Sequence, residues 1–112
     1  MITIWHNPRC SKSRQTLAIV EEKGDVSVRK YLEDAPTADE IRAARDLLGV
    51  TAIEMMRPKE AEFREMGLSR TDDDDPLIAA MATCPKLIER PIVFANGKAA
   101  MGRPPEQVLD IL

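Results

Sequence analysis

The spacing of apolar residues shifts along this chain, and each shift marks a new element. Ile2-Thr3-Ile4-Trp5 is β-branched or aromatic throughout, which predicts a strand over 2–5. Leu17, Val20 and the stem of Lys23 then recur at helical spacing, and Gly24 supplies a stop, so a helix is expected over 11–23. Val26-Ser27-Val28 alternates, and the run onward to Leu32 predicts a second strand over 26–32. A β-α-β opening of this length implies parallel strands joined by a right-handed crossover.

The middle reads as helical. Thr37-Ala38-Asp39-Glu40 is a capping-box pattern ahead of Ile41, Ala44 and Leu48, closed by Gly49. Thr51-Ala52-Ile53-Glu54 repeats it before a short helix that Pro58 ends, by disfavouring helical geometry at Arg57. A third helix is expected from 58 or 59 to 66, stopped by Gly67. A fourth is expected from about 76 to 83, with Leu77, Ile78 and Met81 on its apolar face. Strands then return: Pro91-Ile92-Val93-Phe94-Ala95 and Lys98-Ala99-Ala100-Met101 flank Asn96-Gly97, a strong two-residue hairpin signal. Pro104-Pro105 opens a final helix over 106–112, with Val108, Leu109, Ile111 and Leu112 available for burial. The order is β-α-β, a helical insert over about 37–84, a β-hairpin and a helix, which is an α/β fold.

Length and charge narrow the picture. The 112 residues suit a single domain, 1–112, with one modest core. Sixteen basic against nineteen acidic side chains, a net charge of −3, argue against a general nucleic-acid surface. No stretch approaches the roughly 20 apolar residues that span a bilayer, and no basic segment leads into an apolar run as in a signal peptide. Cys10 and Cys84 are too few and too far apart for a disulfide scaffold or zinc site. A reducing cytoplasm is the expected compartment, with no metal and no bound cofactor. Asp72 to Asp75 could suggest a metal, but ahead of Pro76 they read more simply as a dipole-complemented helix start.

The candidate chemistry sits at Cys10, between the first strand and the first helix. There it lies near unpaired backbone N–H groups and the positive end of a helix dipole. Arg9, Lys12 and Arg14 stand beside it in sequence, and such surroundings favour the reactive thiolate over a buried, inert thiol. Ser13 occupies the place where a Cys-x-x-Cys motif would put a second thiol; it cannot close a disulfide but can donate a hydrogen bond to the thiolate. His6 has two readings: a partner that orients or deprotonates Cys10, or a polar residue closing the loop. Cys84, before Pro85, reads as a partly buried packing residue, with a resolving thiol as the alternative.

The run His6-Asn7-Pro8-Arg9-Cys10-Ser11-Lys12-Ser13-Arg14 resembles the active-site segment of the arsenate reductase (ArsC) family, of the glutaredoxin- and glutathione-dependent type. The likeness continues through Tyr31-Leu32, Met56-Arg57, Glu89-Arg90-Pro91-Ile92-Val93 and Gly102-Arg103-Pro104, and is greatest to the short YfgD-like branch. It implies a thioredoxin-like fold, a mixed four-stranded sheet with the helical insertion between the second and third strands, and a cis-proline at Pro91. It also implies that Arg57, Arg90 and Arg103 bind the substrate oxyanion, while His6, Ser13 and Arg14 support the Cys10 thiolate. Guanidinium forks suit that task because they grip tetrahedral oxyanions bidentately and stay charged. The implied reaction is attack of Cys10 on arsenate to give a thiol–arsenate adduct, resolved by glutathione as co-substrate and by glutaredoxin. Two alternatives remain: a regulatory module like Spx, which contacts RNA polymerase, or a glutathione-dependent reductase of another oxyanion or a mixed disulfide. Spx-type switches use Cys-x-x-Cys, which Cys10-Ser11-Lys12-Ser13 lacks.

Overall fold

A computed structural model describes residues 2–112, which form two compact units. One gathers the described residues through Asp34 with Arg90–Leu112; the other is Ala35–Glu89.

The first unit is built on strands β1 (Ile2–Trp5), β2 (Val26–Arg29), β3 (Ile92–Ala95) and β4 (Lys98–Met101), in spatial order β2-β1-β3-β4. β1 and β2 pair in parallel, joined through helix α1 (Ser11–Glu21), whereas β1–β3 and β3–β4 are antiparallel. The parallel pair was expected from the β-α-β opening and the antiparallel β3–β4 pair from the hairpin signal, and the mixed sheet is the one the resemblance implied. Asn96 and Gly97 both take positive φ, 54° and 71°, the left-handed geometry that makes Asn-Gly fit a two-residue turn. Ile2, Ile4, Val93 and Ala95 share one sheet face and pack with Val20, Val108 and Ile111. On the other face the rings of Trp5 and Phe94 meet at 5.0 Å, and the Arg29 guanidinium lies 5.9 Å from the Trp5 ring centroid.

Elements of this unit differ from the sequence reading in extent or kind, and α1 ends at Glu21 rather than 23. β2 ends at Arg29 rather than 32, because the N–H groups of Glu33 and Asp34 turn back onto the Lys30 carbonyl, and Tyr31 is buried in that turn. The final helix is a 3-10 helix over Pro105–Ile111, whose buried residues Pro105, Val108 and Ile111 fall at the three-residue spacing such a helix stacks on one edge.

The second unit is the helical insert. In α2 (Ala38–Leu48) the capping box forms in both directions: the Glu40 N–H donates to Thr37 Oγ1 at 3.1 Å, and the Thr37 N–H to Glu40 Oε1 at 2.9 Å. The Thr51–Glu54 pattern yields only one 3-10 turn, Ile53–Met55, because Met56 is already extended. Helix α3 (Ala61–Glu65) is shorter than expected at its start. Helix α4 (Asp74–Thr83) begins two residues early, since Pro76 fits a first turn whose N–H groups are unpaired anyway. Asp74 and Asp75 there face Arg45 at 3.0 Å and Arg42 at 3.5 Å, so this stretch is a helix start with arginine partners. No helix among the described residues is long and apolar enough to cross a membrane.

Candidate active site

Cys10 is the N-cap of α1, with extended backbone (φ −96°, ψ 124°) that turns Sγ over the first helical turn. An isolated helix of 11 residues is marginal in water. Thr16 and Val20, both fully buried, hold α1 in place, so packing fixes where Cys10 stands. Burying an aliphatic side chain such as Val20 contributes about 1.5–3 kcal/mol.

Burial pushes the Cys10 thiol up, but its polar neighbours outweigh burial: the Ser13 N–H, the hydrogen bond and charge of the Arg90 guanidinium, and the Lys12 N–H. The net result is a thiol pKa below the ordinary value. Arg90 stands just ahead of β3. Arg103, just past β4, places Nη2 4.0 Å from Sγ and donates from Nε to the Arg90 carbonyl at 2.8 Å. The pairing of β1 with β3 and of β3 with β4 therefore brings two guanidinium groups from the far end of the chain to the thiol. Arg90-Pro91 is cis, as the resemblance implied. Arg103-Pro104 is also cis, which the sequence reading did not raise.

The three residues expected to support the thiolate divide the work differently. Ser13 acts on Sγ through its backbone N–H, while its buried hydroxyl accepts the Asn7 N–H at 3.0 Å and meets His6 Nδ1 at 2.7 Å. His6 thus closes the loop through Ser13, and its main-chain N–H donates to the Arg29 carbonyl at 2.8 Å, tying the loop to β2. Burial, with Lys30 and Arg14 adding to it and Glu21 opposing, holds the His6 pKa below its ordinary value. A neutral ring suits a loop-fastening task better than one of charge stabilisation. Arg14 donates from Nη1 to the Pro8 carbonyl at 2.9 Å, bracing the loop rather than the sulfur. Arg9 and Lys12 have exposed side chains, so the guanidinium that lowers the thiol is Arg90, not a sequence neighbour.

Ser13→Ala is expected to leave His6 Nδ1 and the Asn7 N–H without their partner. Leaving such a buried group unpaired costs about 1–3 kcal/mol. Urea unfolding checks this as a lower midpoint at unchanged slope.

Arg57 belongs to the helical unit. Its Nη1 lies 2.7 Å from Glu60 Oε1 and its Nε 4.0 Å from Glu89 Oε1. The strand-like bridge between Met56 and Ile88 brings Glu89 near, and the Arg57 N–H bonds the Leu87 carbonyl. These carboxylate partners escaped the sequence reading, although the three-residue spacing to Glu60 was a visible signal. Cys84 caps the end of α4 in the same unit; it is partly buried, and both cysteines are free thiols.

Residues 5–111 match the ArsC family. The chain belongs to the ArsC family. It is 49% identical to the uncharacterized protein YfgD of Escherichia coli (strain K12), over 99% of this chain and 96% of that one. It is 46% identical to an arsenate reductase of Neisseria meningitidis serogroup A, over 99% of this chain and 97% of that one. The solved arsenate reductase from Vibrio cholerae superimposes with a TM-score of 0.94 at 52% identity, covering 99% of this chain and 97% of that one. The mixed sheet with its helical insert is the thioredoxin-like fold of these reductases.

Proposed function

We propose that this protein is a cytoplasmic arsenate reductase that works through one thiol, Cys10, and draws its electrons from glutathione and glutaredoxin. The observation that carries this reading is the thiol at the start of α1 with the Arg90 and Arg103 guanidinium groups beside it. A thiolate and an arsenate oxyanion repel each other. Fixed cations next to the sulfur offset that repulsion and stabilise the charge that develops as the S–As bond forms.

In the proposed sequence Cys10 Sγ attacks the arsenic, and one arsenate oxygen leaves as water after protonation. Reduction from As(V) to As(III) needs two electrons. Two external thiols supply them, ending as a mixed disulfide between glutathione and glutaredoxin, while arsenite departs and Cys10 returns as a thiol. No second protein cysteine is required, which agrees with the serine at position 13.

Arg57 joins Arg90 and Arg103 in this proposal because it stands at the matching position of the family pattern. Arg57→Ala is expected to raise the KM for arsenate by the worth of a charge-assisted hydrogen bond, about 1.5–3 kcal/mol or roughly 10- to 100-fold. Steady-state kinetics check this, and an unchanged KM would remove Arg57 from the site.

The reading itself is tested by arsenite formation with glutathione and glutaredoxin together and with each omitted. Turnover is expected only with both. Full turnover without either one would rule out this route of electron supply, and no arsenite under any condition would favour another oxyanion.

A further inference from the structure

We infer that Gly102 is a positioning residue for this site: its bare Cα lets the chain beyond β4 rest directly on α1 and Pro91, and that contact sets where Arg90 and Arg103 stand relative to Cys10. A Cβ at Gly102 would fall 2.7 Å from Pro91 Cγ and 3.1 Å from Thr16 Cγ2, with Thr16 Oγ1 nearer still. These neighbours have little room to yield. Thr16 is β-branched, fully buried and inside a helix, and its Oγ1 donates to the Lys12 carbonyl at 2.8 Å. Pro91 is buried, and its ring is closed onto the backbone.

Both sides of this contact lead to the reacting sulfur. On one side the Gly102 N–H donates to the Pro91 carbonyl at 2.9 Å, and Arg103 Nε donates to the Arg90 carbonyl at 2.8 Å. Residues 102–103 are thereby fastened to 90–91, so displacing Gly102 displaces both guanidinium groups. On the other side Thr16 bonds Lys12, and the Lys12 and Ser13 N–H groups act on Sγ. Helix α1 at Thr16, the Arg90-Pro91 segment and the Arg103 segment meet at one Cα, where any side chain acts as a wedge. Gly102 touches no substrate; its effect runs through the arginines and the helix. The inference rests on Cys10 being the reactive thiol, but its test contains no arsenate, so its failure and that of the proposed reaction are separately visible.

The experiment is Gly102→Ala, read by the pH dependence of Cys10 alkylation with iodoacetamide, followed by peptide mass spectrometry. The Cys10 midpoint is expected to rise toward that of an ordinary thiol as the cations move away from the sulfur, while Cys84 labels as in wild type. Val108→Ala, in the core beneath the same sheet, controls for lost stability and is expected to leave the Cys10 midpoint in place. Adding Thr16→Ala to Gly102→Ala removes two of the three crowding atoms and should recover part of the shift. If Gly102→Ala does not fold, the double variant carries the test: with Pro91 Cγ still crowded it should titrate above wild type. A wild-type midpoint in the folded Gly102→Ala protein, or in the double variant where only that one folds, overturns the inference. So does an equal shift in Val108→Ala.

Discussion

Cys10→Ser is expected to form no arsenite above background, a loss of more than about 10³-fold, because the substitution removes the nucleophile and not merely its support. Cys84→Ser is expected to keep reductase activity. Ser13 cannot form a disulfide with Cys10, and Cys84 caps α4 in the helical unit, outside the motif runs 6–14, 31–32, 56–57, 89–93 and 102–104. The serine at 84 fills a partly buried place, so its stability cost should stay small. Both assays need excess glutathione and glutaredoxin, so that the external thiols do not limit the rate. A folded Cys84→Ser protein as inactive as Cys10→Ser would instead favour an internal Cys10–Cys84 disulfide.

Arg90→Ala carries the second largest effect, because Arg90 has two tasks. Its hydrogen bond and charge help hold the Cys10 thiol below its ordinary pKa, against burial, which raises it. Without it the midpoint moves up, and a smaller fraction of Cys10 is thiolate at neutral pH. The same change removes an oxyanion contact worth about 1.5–3 kcal/mol. The two losses multiply, so kcat/KM for arsenate should fall by more than the roughly 10- to 100-fold that the oxyanion contact alone is worth. Arg90→Lys should recover much of the thiol midpoint but less of the anion affinity, since an ammonium lacks the planar fork. Alkylation against pH separates the first effect from the second, which steady-state kinetics report.

What could be read along the chain was what depends on near neighbours. The Thr37–Glu40 cap, the Asn96-Gly97 turn and the β-branched run at 2–5 each act within a few residues, and each forms where expected. Cys10 at a helix start was legible for the same reason. The source of its stabilising charge was not, because Arg90 reaches the thiol only once β3 pairs with β1. Arg9, Lys12 and Arg14 were the natural candidates from sequence, yet a residue beside another along a turn need not point at it; Arg14 points at Pro8. The end of β2 was missed because the turn after Lys30, not local alternation, ends the strand and buries Tyr31. The last helix was misread because Val108, Leu109, Ile111 and Leu112 allow either period, and burial of Pro105, Val108 and Ile111 selects the shorter one.

The most direct test of a thiolate poised beside an oxyanion site is Cys10 alkylation in the wild-type protein across pH, with and without arsenate. A Cys10 midpoint below that of an ordinary thiol, faster labelling than Cys84, and slower labelling when arsenate is present are the predicted results. An ordinary thiol titration at Cys10, faster labelling of Cys84 and no protection by arsenate would contradict the account.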